Sequence, residues 1–264
     1  MEKIVHMICT SVMLYCTPED TAVDQKLENL IGRNEEVMGK IEADAHWKIA
    51  WQEDFDGTEL NPDSWNVLDD AFGHGNRKQH YTPRNVGVSD GLLKITTKEE
   101  WSEEMPYTSG AVTTKGKVIF QQGKIEVRAK MPSGTGLLPA IWLWTNNGKE
   151  FPEIDIVEIL GQEPDKAWST LHYDNRGIYA KTYGFAEKPD LTRDFHTYGV
   201  EWHPDRITFL IDGAPVYTAA AHFPNEEMYL FINTGVGGDW VGEPDGATGF
   251  PKELLVDWIK YYKK

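Results

Sequence analysis

The sequence predicts an all-β sandwich, and three observations predict it. From Trp47 onward, short runs of β-branched and aromatic residues are separated by Gly, Asn, Asp and Pro turns at the spacing of a sandwich. No long stretch of that region carries a helical period. A chain of 264 residues that is 40% hydrophobic can bury one substantial core, and all-β sandwiches of this length are often single domains. The expected organisation is a signal or lipoprotein segment over 1–16, an acidic spacer over 17–45 and one catalytic domain over 46–264.

At the N-terminus, Ile4 to Cys16 is apolar enough for a short signal core and too short to span a bilayer as a helix. Lys3 is the one early base, Glu2 offsets it, His6 interrupts the apolar run, and Tyr15 stands where a lipoprotein box normally has a small residue. Export, secreted or as a surface lipoprotein lipidated at Cys16, is the expectation; an incidental apolar start is the alternative. Cys9 and Cys16 are the only cysteines, so the domain must be stabilised by packing rather than by disulfides. From Thr17 to Asp44, a thin stripe including Val23, Leu27, Leu30 and Ile41 has near-helical spacing, broken by Gly32 and Gly39. A frayed helical spacer is expected there.

Within the domain the clearest strands are Leu92–Thr97, Lys124–Ala129, Ile207–Ile211 followed by the turn Asp212-Gly213, and Leu255–Tyr261. The segment with most chemistry is Phe151–Leu160, where apolar residues alternate with Glu153, Asp155 and Glu158. Glu153 and Asp155 are two apart and share a face, whereas Glu158 is an odd step from both and in a regular strand points the other way. A bulge near Ile156-Val157 would add one residue, restore parity and bring all three acids to one surface.

Two glutamates on one rigid strand are what a retaining glycosidase needs: one attacks the anomeric carbon and the other, kept protonated, serves the leaving oxygen, at a separation of about 5–5.5 Å. Asp155 between them can share a proton with Glu153, and crowding of like charge keeps at least one of the group protonated. The same pattern also suits a solvated acidic strand face or a calcium site. Trp142 and Trp144 share a face, so both can form a sugar-stacking floor or both can lie in the core.

A formal net charge of −16 argues against nucleic acid and against sulfated or uronic polymers, and so favours a neutral partner. There are no internal repeats, no phosphate-cradling glycine loop before a helix and no zinc-ligand spacing among the eight His. No redox or organic cofactor is expected, and the expected working unit is a monomer.

Glu153-Ile154-Asp155-Ile156-Val157-Glu158 resembles the Glu-x-Asp-x-x-Glu signature of glycoside hydrolase family 16, in the bulged form of its laminarinase-like members. The resemblance runs from about Trp51 to Tyr262. It passes through Trp51-Gln52-Glu53-Asp54-Phe55-Asp56-Gly57, Thr114-Lys115-Gly116-Lys117, Gly123-Lys124-Ile125-Glu126-Val127-Arg128, Pro139-Ala140-Ile141-Trp142, Phe195-His196-Thr197-Tyr198 with Trp202, and Gly237-Gly238-Asp239-Trp240. It implies a jelly-roll β-sandwich of two curved antiparallel sheets with a concave cleft. In that cleft Glu153 is the nucleophile, Glu158 the acid/base and Asp155 the helper that tunes the nucleophile.

The implied substrate is a neutral β-1,3-glucan such as laminarin. Mixed-linkage β-1,3-1,4-glucan, agarose, a transglycosylase reaction and a non-catalytic sugar-binding sandwich are the alternatives. The resemblance further implies sugar contacts at Trp142, at Asn76 and Gln79 within Gly75–Tyr81, and at His172, which can otherwise be a structural side chain. Trp240, in a glycine-flanked loop, is expected to stack on the donor side. His196, Tyr198 and Trp202 are expected to support the fold. Arg77 and Lys78 replace the usual acidic and apolar pair, and Ala111 stands where many relatives have Arg. A structural calcium is implied at Asp54, Gly91 and Asp257, whose oxygen ligands would suit it.

Overall fold

The computed structural model describes residues 47–71, 77–219 and 222–264, and there the alternating runs become β-strands. In chain order these are β1 (Lys48–Glu53), β2 (Asn66–Val67), β3 (Gln79–Tyr81), β4 (Val86–Ser89), β5 (Leu92–Thr97) and β6 (Tyr107–Ser109). Next come β7 (Ala111–Thr113), β8 (Gly123–Lys130), β9 (Leu137–Thr145), β10 (Glu153–Ile159), β11 (Lys166–Asp174) and β12 (Tyr179–Glu187). The last are β13 (His196–Trp202), β14 (Ile207–Ile211), β15 (Ala214–Ala219), β16 (Met228–Val236) and β17 (Lys252–Lys263).

They form two antiparallel sheets, one of eight strands ordered β15-β14-β13-β8-β17-β5-β4 with β1 also on β17, the other of seven ordered β12-β11-β10-β9-β16-β7-β2. Between runs of consecutive strands, chain-distant strands become neighbours, as in β8 between β13 and β17 and β16 between β9 and β7, which is the jelly-roll crossing pattern. A small parallel pair, β3 with β6, lies outside both sheets.

Alternation decides which face each strand buries. In β8, Ile125, Val127 and Ala129 enter the core while Lys124, Glu126 and Arg128 face outward. The opposing sheet contributes Ile141, Leu143, Ile154, Leu171, Leu230 and Ile232, all fully buried in the same cluster. Each such side chain removed from water stabilises the sandwich by about 1.5–3 kcal/mol as an upper estimate. The four strands read from the sequence all form, as β5, within β8, as β14 and within β17. Asp212 and Gly213 link β14 to β15 with positive φ at both positions, 54° and 75°, the geometry that suits the right-handed twist of a tight hairpin.

The outer face of the seven-stranded sheet is covered along part of its width. Tyr81, Ala111, Tyr229 and Phe231 pack there with Trp142 and Trp144, so β9 and β16 are buried on both sides. Beyond β9 the face is open. Tyr198 and Trp202 are buried, the Trp202 indole donating to the Pro224 carbonyl at 2.9 Å, so both support the fold as expected.

The segments expected over 1–16 and 17–45 lie outside the described residues, and Lys48–Lys264 forms a compact unit by itself. Among the described residues, no helix is long and apolar enough to cross a membrane.

The end of β10 is pinned by a backbone crossing. Gly134 and Gly161 exchange close contacts, with the Gly134 N–H donating to the Gly161 carbonyl at 2.8 Å, and a Cβ on Gly161 would meet the Gly134 oxygen at 2.1 Å. Gly161→Ala is therefore expected to destabilise the protein by about 1–3 kcal/mol, read as a lower urea midpoint. An unchanged midpoint would show that the two loops can separate freely.

Candidate active site

The acid strand owes its placement to its apolar partners. Ile154, Ile156, Val157 and Ile159 all belong to the core, which leaves Glu153, Asp155 and Glu158 on the opposite, outer face. Register shows how this is possible. Against β11, Asp155 pairs with Thr170 and Glu158 with Trp168, so three steps on β10 match two on its neighbour. Against β9, Asp155 pairs with Trp142 and Val157 with Ile141, which puts the extra residue at Ile156-Val157, as parity required.

The acids therefore stand in three cross-strand rows. Glu153 lies between Trp144 and His172, with Lys181 one strand further. Asp155 lies between Trp142 and Thr170, followed by Tyr183. Glu158 lies between Ala140 and Trp168, followed by Phe185. Opposed residues in a sheet share a face, so these rows form one continuous surface.

His172 joins the acids directly. Its Nε2 is 2.9 Å from Asp155 Oδ2 and 3.7 Å from Glu153 Oε1, and its Nδ1 is 2.8 Å from the Tyr179 hydroxyl. The Nε2 contact is a close approach and not an aligned hydrogen bond, since Asp155 Oδ2 is buried without a hydrogen-bond partner. Burial pulls the His172 pKa down, with Glu153 and Glu158 opposing, which favours the neutral ring.

Burial also raises all three carboxyl groups. Glu158 is pushed up to about 8, the charge on Asp155 adding to desolvation while His172, Arg77 and Lys181 pull the other way. Glu153 and Asp155 are both held above the ordinary carboxylate range, first by burial, and they hydrogen-bond one another. Two such groups in contact titrate as a pair that shares a proton. Ligand atoms of Glu153, Asp155 and His172 all lie within 4.8 Å of one another, so the group could gather round a cation as well as round a proton. Within it, Asp155 Oδ2 is buried without a hydrogen-bond partner.

Aromatic side chains flank the acids on both sides. Trp142 stacks on Phe231 at 4.5 Å, and its Nε1 donates to Asn233 Oδ1 at 2.8 Å. Asn233 in turn donates to the Tyr81 hydroxyl at 2.8 Å, which fixes the indole plane. Trp144 stands 5.6 Å from Trp142, and its Nε1 donates to the Glu150 carbonyl. On the other side, Trp168 meets Trp240 edge-on at 5.9 Å and Phe185 at 5.0 Å, with Tyr183 beside it. Trp240, Tyr183 and Phe185 are exposed, as sugar-facing rings must be.

Of the residues expected to touch sugar, Trp142, Trp144 and His172 stand in the acid rows and Trp240 stands beside Trp168. Asn76 lies outside the described residues. Gln79 requires a correction: it is fully buried in β3, and its amide oxygen accepts from the Val236 N–H at 2.7 Å. It ties the covering β3–β6 pair to β16 and does not face the cleft. Arg77 takes a cleft position instead, donating to the Gly237 carbonyl at 3.3 Å, and Gly235 leaves it room because a Cβ there would lie 3.0 Å from Nη1.

The sequence reading missed Trp168, Asn233, Lys181 and the aromatic face of β12. The signal for Lys181 and the β12 face was present as Tyr179, Lys181, Tyr183 and Phe185 at period two, which one exposed strand face explains. At the expected calcium position, Asp257 pairs with Arg128 and Asp54 accepts from Gln52 at 2.7 Å. A carboxylate already neutralised by guanidinium does not fit a divalent cation in this arrangement.

The family model for glycosyl hydrolases family 16 matches residues 74–260. A β-glucanase of Rhodothermus marinus is 32% identical, over 83% of this chain and 86% of its own. A glucan endo-1,3-β-glucosidase of Cryptopygus antarcticus is 30% identical, over 83% and 92%. The solved catalytic domain of an endo-1,3-β-glucanase (laminarinase) from Thermotoga petrophila RKU-1 superposes with a TM-score of 0.78 at 31% identity, covering 83% of this chain and 98% of that one. Agreement over this length, in sequence and in fold, places the chain in glycosyl hydrolases family 16 as a glycoside hydrolase.

Proposed function

We propose that the protein is a retaining, endo-acting β-glucan hydrolase that cleaves β-1,3-glucosidic bonds of laminarin-type polysaccharide. One observation carries this reading: the bulge puts two glutamates on one open face, both raised in proton affinity by burial, with Glu153 paired to Asp155, to which it can pass its proton. Relatives described as endo-1,3-β-glucanases and the acidic net charge support a neutral glucan as substrate. Aromatic rings on both sides of the acids support binding of chain on either side of the scissile bond, as internal cleavage requires.

In the first step Glu153 attacks the anomeric carbon while Glu158 gives its proton to the glycosidic oxygen, and the bond to the leaving sugar breaks. In the second, Glu158, now a carboxylate, takes a proton from water, whose oxygen attacks the same carbon and releases Glu153. Asp155 takes up the proton shared with Glu153 when the nucleophile must be charged, with the His172 ring beside it at 2.9 Å. Export of the enzyme is part of the proposal: the Ile4–Cys16 pattern supports it, and a polymeric substrate cannot cross a bilayer unaided.

Digestion of laminarin by residues 46–264 is expected to give a ladder of oligosaccharides whose new reducing ends are initially β-anomers by NMR. Cleavage confined to mixed-linkage glucan or to agarose would move the substrate to those polymers; an α-anomer would exclude the double displacement. Glu153→Gln should lower turnover at least about a thousandfold while laminarin binding persists. Persistent activity would place the nucleophile elsewhere.

Activity needs Glu158 protonated, so kcat/KM should fall tenfold per pH unit as pH rises through about 8. The same raised pKa has a consequence for stability. The folded state keeps a proton that the unfolded state loses above 4.5, so this group's contribution to stability is full below 4.5 and fades as pH rises to about 8. Glu158→Gln is therefore expected to raise the urea midpoint at pH 7 relative to wild type, and the difference should vanish in acid. An equal gain at both pH values would remove the titration from the explanation.

Calcium at Asp54, Gly91 and Asp257 is not part of this reading. With Asp257 held by Arg128, EDTA is expected to leave the melting temperature unchanged. A drop of several degrees that calcium restores would show a stabilising calcium and overturn this expectation.

A further inference from the structure

At the Glu153 end of the acid rows, the hairpin ends surround an open cavity of about 870 Å³, within the range of small-ligand sites. Three chain-distant segments build it: the β9–β10 connection with Glu150 and Phe151, the β11–β12 turn with Asp174 and Tyr179, and the approach to β16 with His222 and Glu226. None of its lining belongs to the acid rows.

Its surface has the character of a carbohydrate site. Phe151 stacks on Tyr179 at 5.1 Å, and Tyr173 stacks on His222 at 4.0 Å with planes 12° apart. Flat rings of this kind offer faces to the C–H side of a sugar. Carboxylates at Glu150, Asp174 and Glu226 accept from hydroxyl groups, and they outnumber the single lining cation, Lys149. That balance disfavours an anionic ligand and suits a neutral one.

The cavity also connects with the catalytic face. Tyr179 lines it, and the hydroxyl of the same side chain holds His172, which contacts Asp155. At the rim, the Glu150 carbonyl accepts from the Trp144 indole at 2.9 Å, so the cleft floor and the cavity share an edge.

We propose that the cavity is a remote subsite for glucosyl units of the same β-glucan chain whose scissile bond lies at Glu153 and Glu158. The proposal rests on the function given above and adds a length requirement to it. Long chains engage both places; short ones engage the acid rows alone.

The test compares laminaritriose with laminariheptaose on wild-type protein, on His222→Ala and on His222→Ala with Glu150→Gln, both positions being exposed and outside the acid rows. Wild type is expected to favour the longer substrate in kcat/KM, and the substitutions should reduce that preference about fivefold or more through KM while leaving laminaritriose turnover unchanged. An unaltered preference in both variants would overturn the subsite and leave the hydrolase reading intact. If wild type cleaves neither sugar, the hydrolase reading fails, and calorimetric titration of Glu153→Gln with laminariheptaose decides the subsite separately. Equal affinity with and without the cavity substitutions would overturn it, and weaker affinity with them would sustain it.

Discussion

One inserted residue between Asp155 and Glu158 governs everything on the outer face of the seven-stranded sheet. Side chains in a strand alternate, so without the insertion Glu158 would point into an apolar core whose neighbours are Ile154 and Ile159. With it, both Ile156 and Val157 are buried and the strand still presents three carboxyl groups to one surface. The bulge is affordable because its apolar residues fill the core on the other side. β10 is also central, with β9 and β11 hydrogen-bonded along both edges, which holds the two glutamates in fixed relation.

Packing three acids together on a half-buried surface raises the proton affinity of each, and the surroundings relieve only part of it. Arg77 and Lys181 supply positive potential from opposite sides of Glu158, and the His172 ring lies 2.9 Å from Asp155. The outcome is a set that holds protons near neutral pH, as a general acid must, and that can pass one within the Glu153–Asp155 pair. Stability is lowered by the same arrangement, a conflict common at functional sites.

The aromatic walls differ in how they are held. Trp142 is fixed by a stack on Phe231 and a relay through Asn233 to Tyr81 of the covering β3–β6 pair. Trp168, Tyr183 and Phe185 stand at the sheet's open edge on β11 and β12, with Trp240 reaching them from a loop. One wall is thus preorganised by the fold and the other is built from exposed rings on an edge strand. Gln79 belongs to the first wall's support, which is why a residue expected at the sugar is found bonded to Val236.

The sequence alone determined the layers, the acid face and the need for a bulge, because alternation at period two is written locally and a parity break cannot be absorbed without an extra residue. It also carried the Trp142–Trp144 face and the Asp212-Gly213 hairpin, both short-range patterns. Only the tertiary structure decided that His172 meets Asp155, that Asn233 orients Trp142 and that Arg77 reaches Gly237 over a glycine. Those contacts join residues from separate strands and loops, and their register depends on which strands become neighbours in the sheet. No local pattern records that choice, because strand order is set by how the whole chain buries its apolar faces together.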